Sequence, residues 1–278
     1  MARAESSWRK SGLLPPIFDQ GDCGCCSSSV SLKCCSAIIS ISNAKQDRDP
    51  STVEFAVQEP INLVPLLYPQ HCEPPDDKED DKELGCYGIR SKVNLLYVKQ
   101  HQCALEEDFP YKGKRTEDLI PMDFLFFYSL SFLKLFCLQR PRLFIDDYCT
   151  LEEHNTNPIE GENFVQLEEM GGGRIISDLI KEHPVAGKAF VDNKFVRYRS
   201  GVYRAPNAIR KKLSLHALLI IGEYRTKSGV QVYDCQNSWG EDWGDKGFCK
   251  VEKRCLLKFC YAINPRVQGI VVKVDSIK

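Results

Sequence analysis

From Ser28 to Ile41 apolar residues recur at three- and four-residue spacing, with Val30, Cys34, Ala37, Ile38 and Ile41 forming one stripe. This pattern predicts a helix with a buried face that begins near Cys26. A second helical pattern over Lys92–Lys99 puts Val93, Leu96 and Tyr97 on one face, and Ile175–Glu182, followed by Pro184, gives a third. The C-terminal third changes period. Ala186 to Phe195, Ala217–Gly222, Val230–Cys235 and Gly247–Val251 are short, β-branched or aromatic, and parted by glycine or charged turns. They predict an antiparallel sheet or barrel. Helices first and strands later imply an α+β chain with two lobes.

Two segments interrupt this order. Glu73–Glu83 is so dense in charge and proline that it predicts a solvated loop. Phe124–Leu133, continuing through Lys134 to Leu138, is an apolar run with neither helix nor strand period, too short and too near a charge for a bilayer span.

Composition narrows the picture. With 43% apolar and 27% charged residues in 278, the chain can bury one large core or two lobes meeting at a cleft. Its 37 basic and 38 acidic residues leave a net charge of -1, which argues against nucleic acid or an anionic membrane as partner. The 14 cysteines favour an oxidising, secretory compartment. No signal-peptide h-region is visible from Met1 to Trp8, so targeting lies in a missing segment or the protein stays in the cytosol.

Candidate chemistry concentrates where Gln20-Gly-Asp-Cys-Gly-Cys-Cys26 runs into the first helix. A thiol at a helix N-terminus meets unpaired N–H groups and the positive end of the helix dipole, which favour the thiolate nucleophile. Of the five histidines, His71, His101, His154 and His183 read as loop or surface residues. His216 instead adjoins the apolar strand Ala217–Gly222, a rigid mount for a proton shuttle, or else is a histidine that merely packs at a strand end. In Cys235-Gln-Asn-Ser-Trp-Gly240, Asn237 can accept a hydrogen bond from the imidazole while Trp239 shields the pair from water. Gln20 and the Cys26 backbone N–H can serve as oxyanion donors. The cluster Cys23, Cys25, Cys26, Cys34 and Cys35 fits no zinc spacing, so no metal is expected there.

The segment Gln20–Cys26 resembles the Q-G-x-C-G-S-C stretch of papain-like (cathepsin-type) cysteine proteases. Ser7–Gly12, Glu106–Gly113, Ser200–Tyr203 and Asn237–Gly247 resemble further family segments in family order. The resemblance implies a helical left lobe, about 13–113, and a β-barrel-like right lobe, about 142–265, within a single catalytic domain over 1–278, with 114–141 as an atypical insertion. It further implies Cys26 facing His216 across a cleft, a Cys23–Cys86 disulfide, and endopeptidase activity on polypeptides. Protein inhibitors as partners, a monomeric state and a lysosomal, vacuolar or extracellular location follow from it too. Gly24, Gly88 and Ile89 fall at its substrate-binding positions. A Cys72–Cys103 bridge is a further expectation.

The chain also departs from the pattern. Cys25 replaces the family's serine and Ser27 its tryptophan, while Ile89 takes a glycine position and is expected to narrow substrate binding. The family's pro-region is not read in this sequence, having been cleaved or lying outside it, and the segment 114–141 is open to reading as a translated intron. These departures keep a rival reading open: a protease-like binding or storage protein without turnover, or the product of a decayed gene. Trp243 and Gly244 are expected to pack the Asn237 loop, and Arg210-Lys-Lys212 to form a solvated turn.

Overall fold

The structure is a computed structural model that describes residues 7–75, 83–117, 142–152, 172–205, 213–263 and 265–268. The core of the acidic loop, the apolar run, His154 and Arg210-Lys-Lys212 lie outside these residues. No described helix is long and apolar enough to cross a membrane.

The first half is helical: α1 (Cys26–Lys45), α2 (Gln58–Leu67) and α3 (Ser91–His101). Of the stripe expected on α1, Val30, Cys34, Ala37 and Ile41 are buried and Ile38 is half-buried, and most of the remaining circumference is buried too, because the helix packs against both α3 and the sheet of the other lobe. On α3 the buried residues include Val93, Leu95 and Tyr97, so Leu95 takes the place expected of Leu96. The α2 helix escaped the sequence pattern. Pro60 and Pro65 obscure it, but Pro60 stands in the first turn, where no helical N–H bond is lost, and Pro65 in the last. Its Gln58 and Asn62 side chains tie down Lys114 and Thr116, the start of the atypical segment.

Short strands stitch this lobe together. β1 (Cys72–Glu73) pairs with β2 (Gly88–Ile89), while β3 (Cys103–Ala104), β4 (Arg142–Phe144) and β11 (Arg266–Gln268) form a three-stranded sheet. A disulfide joins Cys23 to Cys86. The Cys72–Cys103 bridge does not form: Cys72 Sγ turns to the Tyr68 carbonyl and Cys103 Sγ to that of Ala56. The two residues belong to different small sheets, which hold their thiols on separate partners.

The second half is a six-stranded antiparallel sheet in the order β5-β10-β6-β7-β8-β9, followed in sequence by β11. Its members are β5 (Asp147–Glu152), β6 (Val185–Val191), β7 (Ser214–Arg225), β8 (Gln231–Gln236), β9 (Phe248–Glu252) and β10 (Leu256–Ile263). Helix α4 (Gly172–Glu182) packs on β7. The strand expected from Ala186 to Phe195 ends at Val191. There the Asp192 carboxylate accepts from the N–H groups of Lys194 and Phe195 and caps a one-turn helix, α5 (Asn193–Val196).

β7 joins the two halves of the core. Ala217, Leu219 and Ile221 face the helical cluster, whereas Leu218 and Ile220 face the β-lobe cluster. A strand buried on both faces reads as a continuous apolar run, and here its alternation distributes side chains between two cores. Each of these leucines and isoleucines is at most 1% exposed, a burial that contributes about 1.5–3 kcal/mol per side chain.

Candidate active site

Cys26 is the first residue of α1, and the N-cap Cys25 supplies no side-chain hydrogen bond to the first turn. The N–H groups there are left for an anion. Across from it, His216 lies inside β7, opposite Ala189, two residues beyond the strand's start rather than just before it. Being locked in a ladder and only 5% exposed gives the ring one orientation.

His216 Nε2 lies 2.6 Å from Asn237 Oδ1. An amide oxygen only accepts, so Nε2 donates the proton and the other ring nitrogen is left for Cys26, to which the ring is hydrogen-bonded. Asn237 is itself fixed by the chain, since its Oδ1 also accepts from the Ser238 N–H at 2.8 Å and its own N–H donates to the Gly247 carbonyl at 2.9 Å.

Aromatic rings enclose the pair. Trp239 lies 4.4 Å from the His216 ring, centroid to centroid, and Phe195 packs against His216, Trp239 and Trp243. Trp243 anchors the loop by donating to the Val196 carbonyl at 3.0 Å. Gly244 beside it has φ +64°, and a Cβ there would come within 2.6 Å of the Phe248 carbonyl oxygen, so glycine is required.

The two adjacent thiols occupy opposite electrostatic environments. At Cys26 burial pushes the pKa up, but the His216 charge and hydrogen bond, the Ala217 N–H and the Lys188 cation outweigh it and bring the thiol down to about 6. Cys25 is 3% exposed and touches the Tyr111 hydroxyl at 3.3 Å, and burial drives its pKa up to about 12. Lys188 stands on β6 opposite Ala217. Sequence reasoning passed over it, although a lysine between Gly187 and Ala189 in an otherwise apolar strand is an available signal.

Gln20 is buried beside Cys23, and its Nε2 donates to the Cys23 carbonyl at 2.8 Å while its Oε1 accepts from Ser238 Oγ at 2.6 Å. The amide has a second N–H beside the one given to Cys23. Backbone bonds from Gln20 to Ser238 and from Gly240 to Phe18 zip this segment onto the Asn237 loop. Ser238 and Tyr111, whose hydroxyl donates to the Gln20 carbonyl at 2.7 Å, are positioning groups that the sequence did not single out.

The subsite expectations fare differently. Gly24 is exposed, with open space where a Cβ would be, and Gly88 is exposed in β2. Ile89, expected to obstruct the cleft, is 5% exposed and belongs to the helical core. Pairing of β2 with β1 sends alternate side chains to opposite faces, so the Ile89 side chain turns inward. Ser27 is likewise buried in α1. His101 ends α3 against Tyr97 and Tyr68, and His183 bonds the Pro184 carbonyl, so neither joins the site. Among the described residues no group of three or more His, Cys, Asp or Glu is placed to hold a metal ion. The clustered cysteines point apart: Cys23 to its disulfide, Cys25 to Tyr111, Cys26 to His216 and Cys34 to the Pro184 carbonyl.

A sequence model of the papain family cysteine proteases matches residues 3–262. Among curated relatives, the chain is 23% identical over 249 residues to the cathepsin L-like proteinase of Fasciola hepatica, covering 88% of this chain and 59% of that protein. It is 25% identical over 242 residues to cysteine proteinase 2 of Entamoeba histolytica, covering 87% and 61%. The chain spans between 54% and 62% of the length of the curated relatives it matches. Among solved structures, the digestive procathepsin L2 proteinase of Tenebrio molitor larval midgut superposes with a TM-score of 0.64 at 20% identity, over 95% of this chain and 69% of that one. The bromelain protease of Ananas comosus, in complex with the E64 inhibitor, does so with 0.62 at 15% identity, over 94% and 98%. These likenesses bear out the two-lobed α+β fold.

Proposed function

Because the chain belongs to the papain family of cysteine proteases, we propose that it is a cysteine endopeptidase with Cys26 as nucleophile, His216 as proton shuttle and Asn237 as the group orienting it. One observation carries the reading. Cys26, at a helix N-terminus without a side-chain cap, is hydrogen-bonded to a histidine whose far nitrogen is held 2.6 Å from an amide oxygen.

The chemistry follows from these positions. The Cys26 thiolate attacks the scissile carbonyl, and the negative charge developing on its oxygen is met by the Cys26 N–H and the second N–H of the Gln20 amide. Protonated His216 gives its proton to the leaving amine. The neutral ring then takes a proton from water, whose hydroxide cleaves the acyl-enzyme and restores the thiol pair. Trp239 over the ring keeps bulk water from weakening the ion pair.

Polypeptides are the proposed substrates, with protein inhibitors as possible partners. A secretory-route compartment, whether lysosomal, vacuolar or extracellular, fits the Cys23–Cys86 disulfide. The rival reading of a binding protein without turnover loses one of its supports, since Ile89 is turned into the core.

An epoxide inhibitor of the kind bound in the bromelain structure tests the proposal. Stoichiometric covalent labelling at Cys26, abolished in Cys26→Ala, is the expected result. A properly folded protein that takes up no label between mildly acidic and neutral pH overturns the enzyme reading in favour of the binding protein.

A further inference from the structure

Two cysteines outside the active site stand directly across from each other in the sheet. Cys235 on β8 and Cys249 on β9 are register partners in an antiparallel pair. Directly opposed residues of such a pair project to the same face, with Cα atoms about 4.5–5.5 Å apart, within the span a disulfide bridges. Both are buried, at 0% and 1% exposure, in the β-lobe core, and the structure holds both as thiols in hydrogen-bond contact.

We propose that Cys235 and Cys249 form a second disulfide, a cross-strand bridge that closes the segment carrying Asn237, Trp239 and Trp243. Two observations converge on it. The register supplies the geometry, and the Cys23–Cys86 bridge shows that this chain is built with disulfides. The bridge bears on the active site through the chain itself, because Asn237 lies two residues beyond Cys235 and bonds through its N–H to Gly247, two residues before Cys249. Cross-linking the base of that loop restricts opening of the ladder that presents Asn237 to His216.

The oxidant is a small-molecule disulfide such as oxidised glutathione. One cysteine thiolate attacks a glutathione sulfur and expels a glutathione thiolate. The second cysteine then attacks the mixed disulfide, forming the Cys235–Cys249 bond and releasing the other glutathione. Two electrons and two protons leave the protein, and one oxidised glutathione becomes two reduced molecules. Burial, reinforced by the contact with Cys249, holds the Cys235 thiol well above its ordinary pKa, so the folded sheet exchanges slowly and the bond forms as β8 and β9 pair during folding.

The test is disulfide mapping of the chain folded in a glutathione redox buffer, with oxidant raised until the Cys23–Cys86 peptide is fully linked, then alkylated under denaturing conditions, digested and analysed by mass spectrometry. A Cys235–Cys249 linked peptide is expected under the same conditions. Recovery of both cysteines alkylated, or of either joined to another residue, while Cys23–Cys86 is fully linked, overturns the proposal. Thermal unfolding of wild type and Cys249→Ala gives a second reading. A Tm gap that widens by roughly 5–10 °C on oxidation supports the bridge, and a gap equal in reduced and oxidised protein counts against it.

Discussion

Cys25 and Cys26 are consecutive residues whose thiols differ in acidity by many orders of magnitude, at about 12 and about 6, because one is buried against Tyr111 and the other faces His216. The neighbouring thiol is therefore no rival nucleophile near neutral pH. Its proton stays on while that of Cys26 is already lost.

A direct consequence concerns the pH profile of alkylation. The folded pKa of Cys26 is lowered from 9.0 to about 6, so its thiolate predominates above pH ~6 and is lost as the pH falls below it. Among the described cysteines, iodoacetamide is expected to react at one site between pH 6 and 8, with a rate that drops about tenfold per pH unit well below 6. Cys25→Ser should leave this profile in place and Cys26→Ser should remove it. Mass-spectrometric counting of modified cysteines at each pH decides between them.

Removing the orienting amide is predicted to affect turnover more than folding. In the proposed mechanism the bond from His216 to Asn237 serves a ring that becomes charged, and such bonds contribute about 1.5–3 kcal/mol. Asn237→Ala should therefore lower kcat/KM ~10- to 150-fold. Steady-state kinetics beside circular dichroism separate this from misfolding, and an unchanged kcat/KM would count against the role given to Asn237.

Glu59 supports the helical lobe from below. It is 1% exposed and accepts from the Tyr97 hydroxyl, the Arg142 guanidinium and the Ala104 N–H. Glu59→Ala leaves Arg142 without its buried counter-charge, and removing one partner of such a pair costs about 3–5 kcal/mol. Urea unfolding should show a lower midpoint with the slope unchanged.

Gly244 tests the loop that presents Asn237. With φ +64° and a Cβ clash against the Phe248 carbonyl oxygen, Gly244→Ala strains the backbone and displaces that contact. A loss of about 1–3 kcal/mol is expected, together with lower activity, because Trp243 next to it anchors the loop. Gly12→Ala also has positive φ but nothing within 4 Å of its Cβ, and should cost less. Thermal melts of the two variants compare clash with conformation.

The run from Gln20 to Cys26, the strand after His216 and the Asn237-Ser-Trp-Gly segment were legible because each motif is local: a thiol before a helical stripe, a ring beside an apolar strand, an amide before a tryptophan. The helices α1, α3 and α4 and the strands β6 to β9 were legible for the same reason, since periodicity is a property of neighbouring residues, whereas β5 and β10 of the same sheet were not singled out. α2 was hidden by its prolines, and α5 by residues that propensity assigns to a strand until the Asp192 carboxylate caps the turn.

What only the tertiary structure decided depends on contacts between residues far apart in sequence. The inward turn of Ile89, the failure of Cys72 to meet Cys103, the proximity of Lys188 to Cys26 and the apposition of Cys235 with Cys249 are set by strand pairing and register. A one-residue change of register would send each of these side chains to the other face. The sequence by itself determined which residues are the candidates for chemistry. Packing of α1 against β7 determined which of them meet, and the His216 and Lys188 charges beside Cys26, with no counterpart at the buried Cys25, then set two neighbouring thiols apart in acidity.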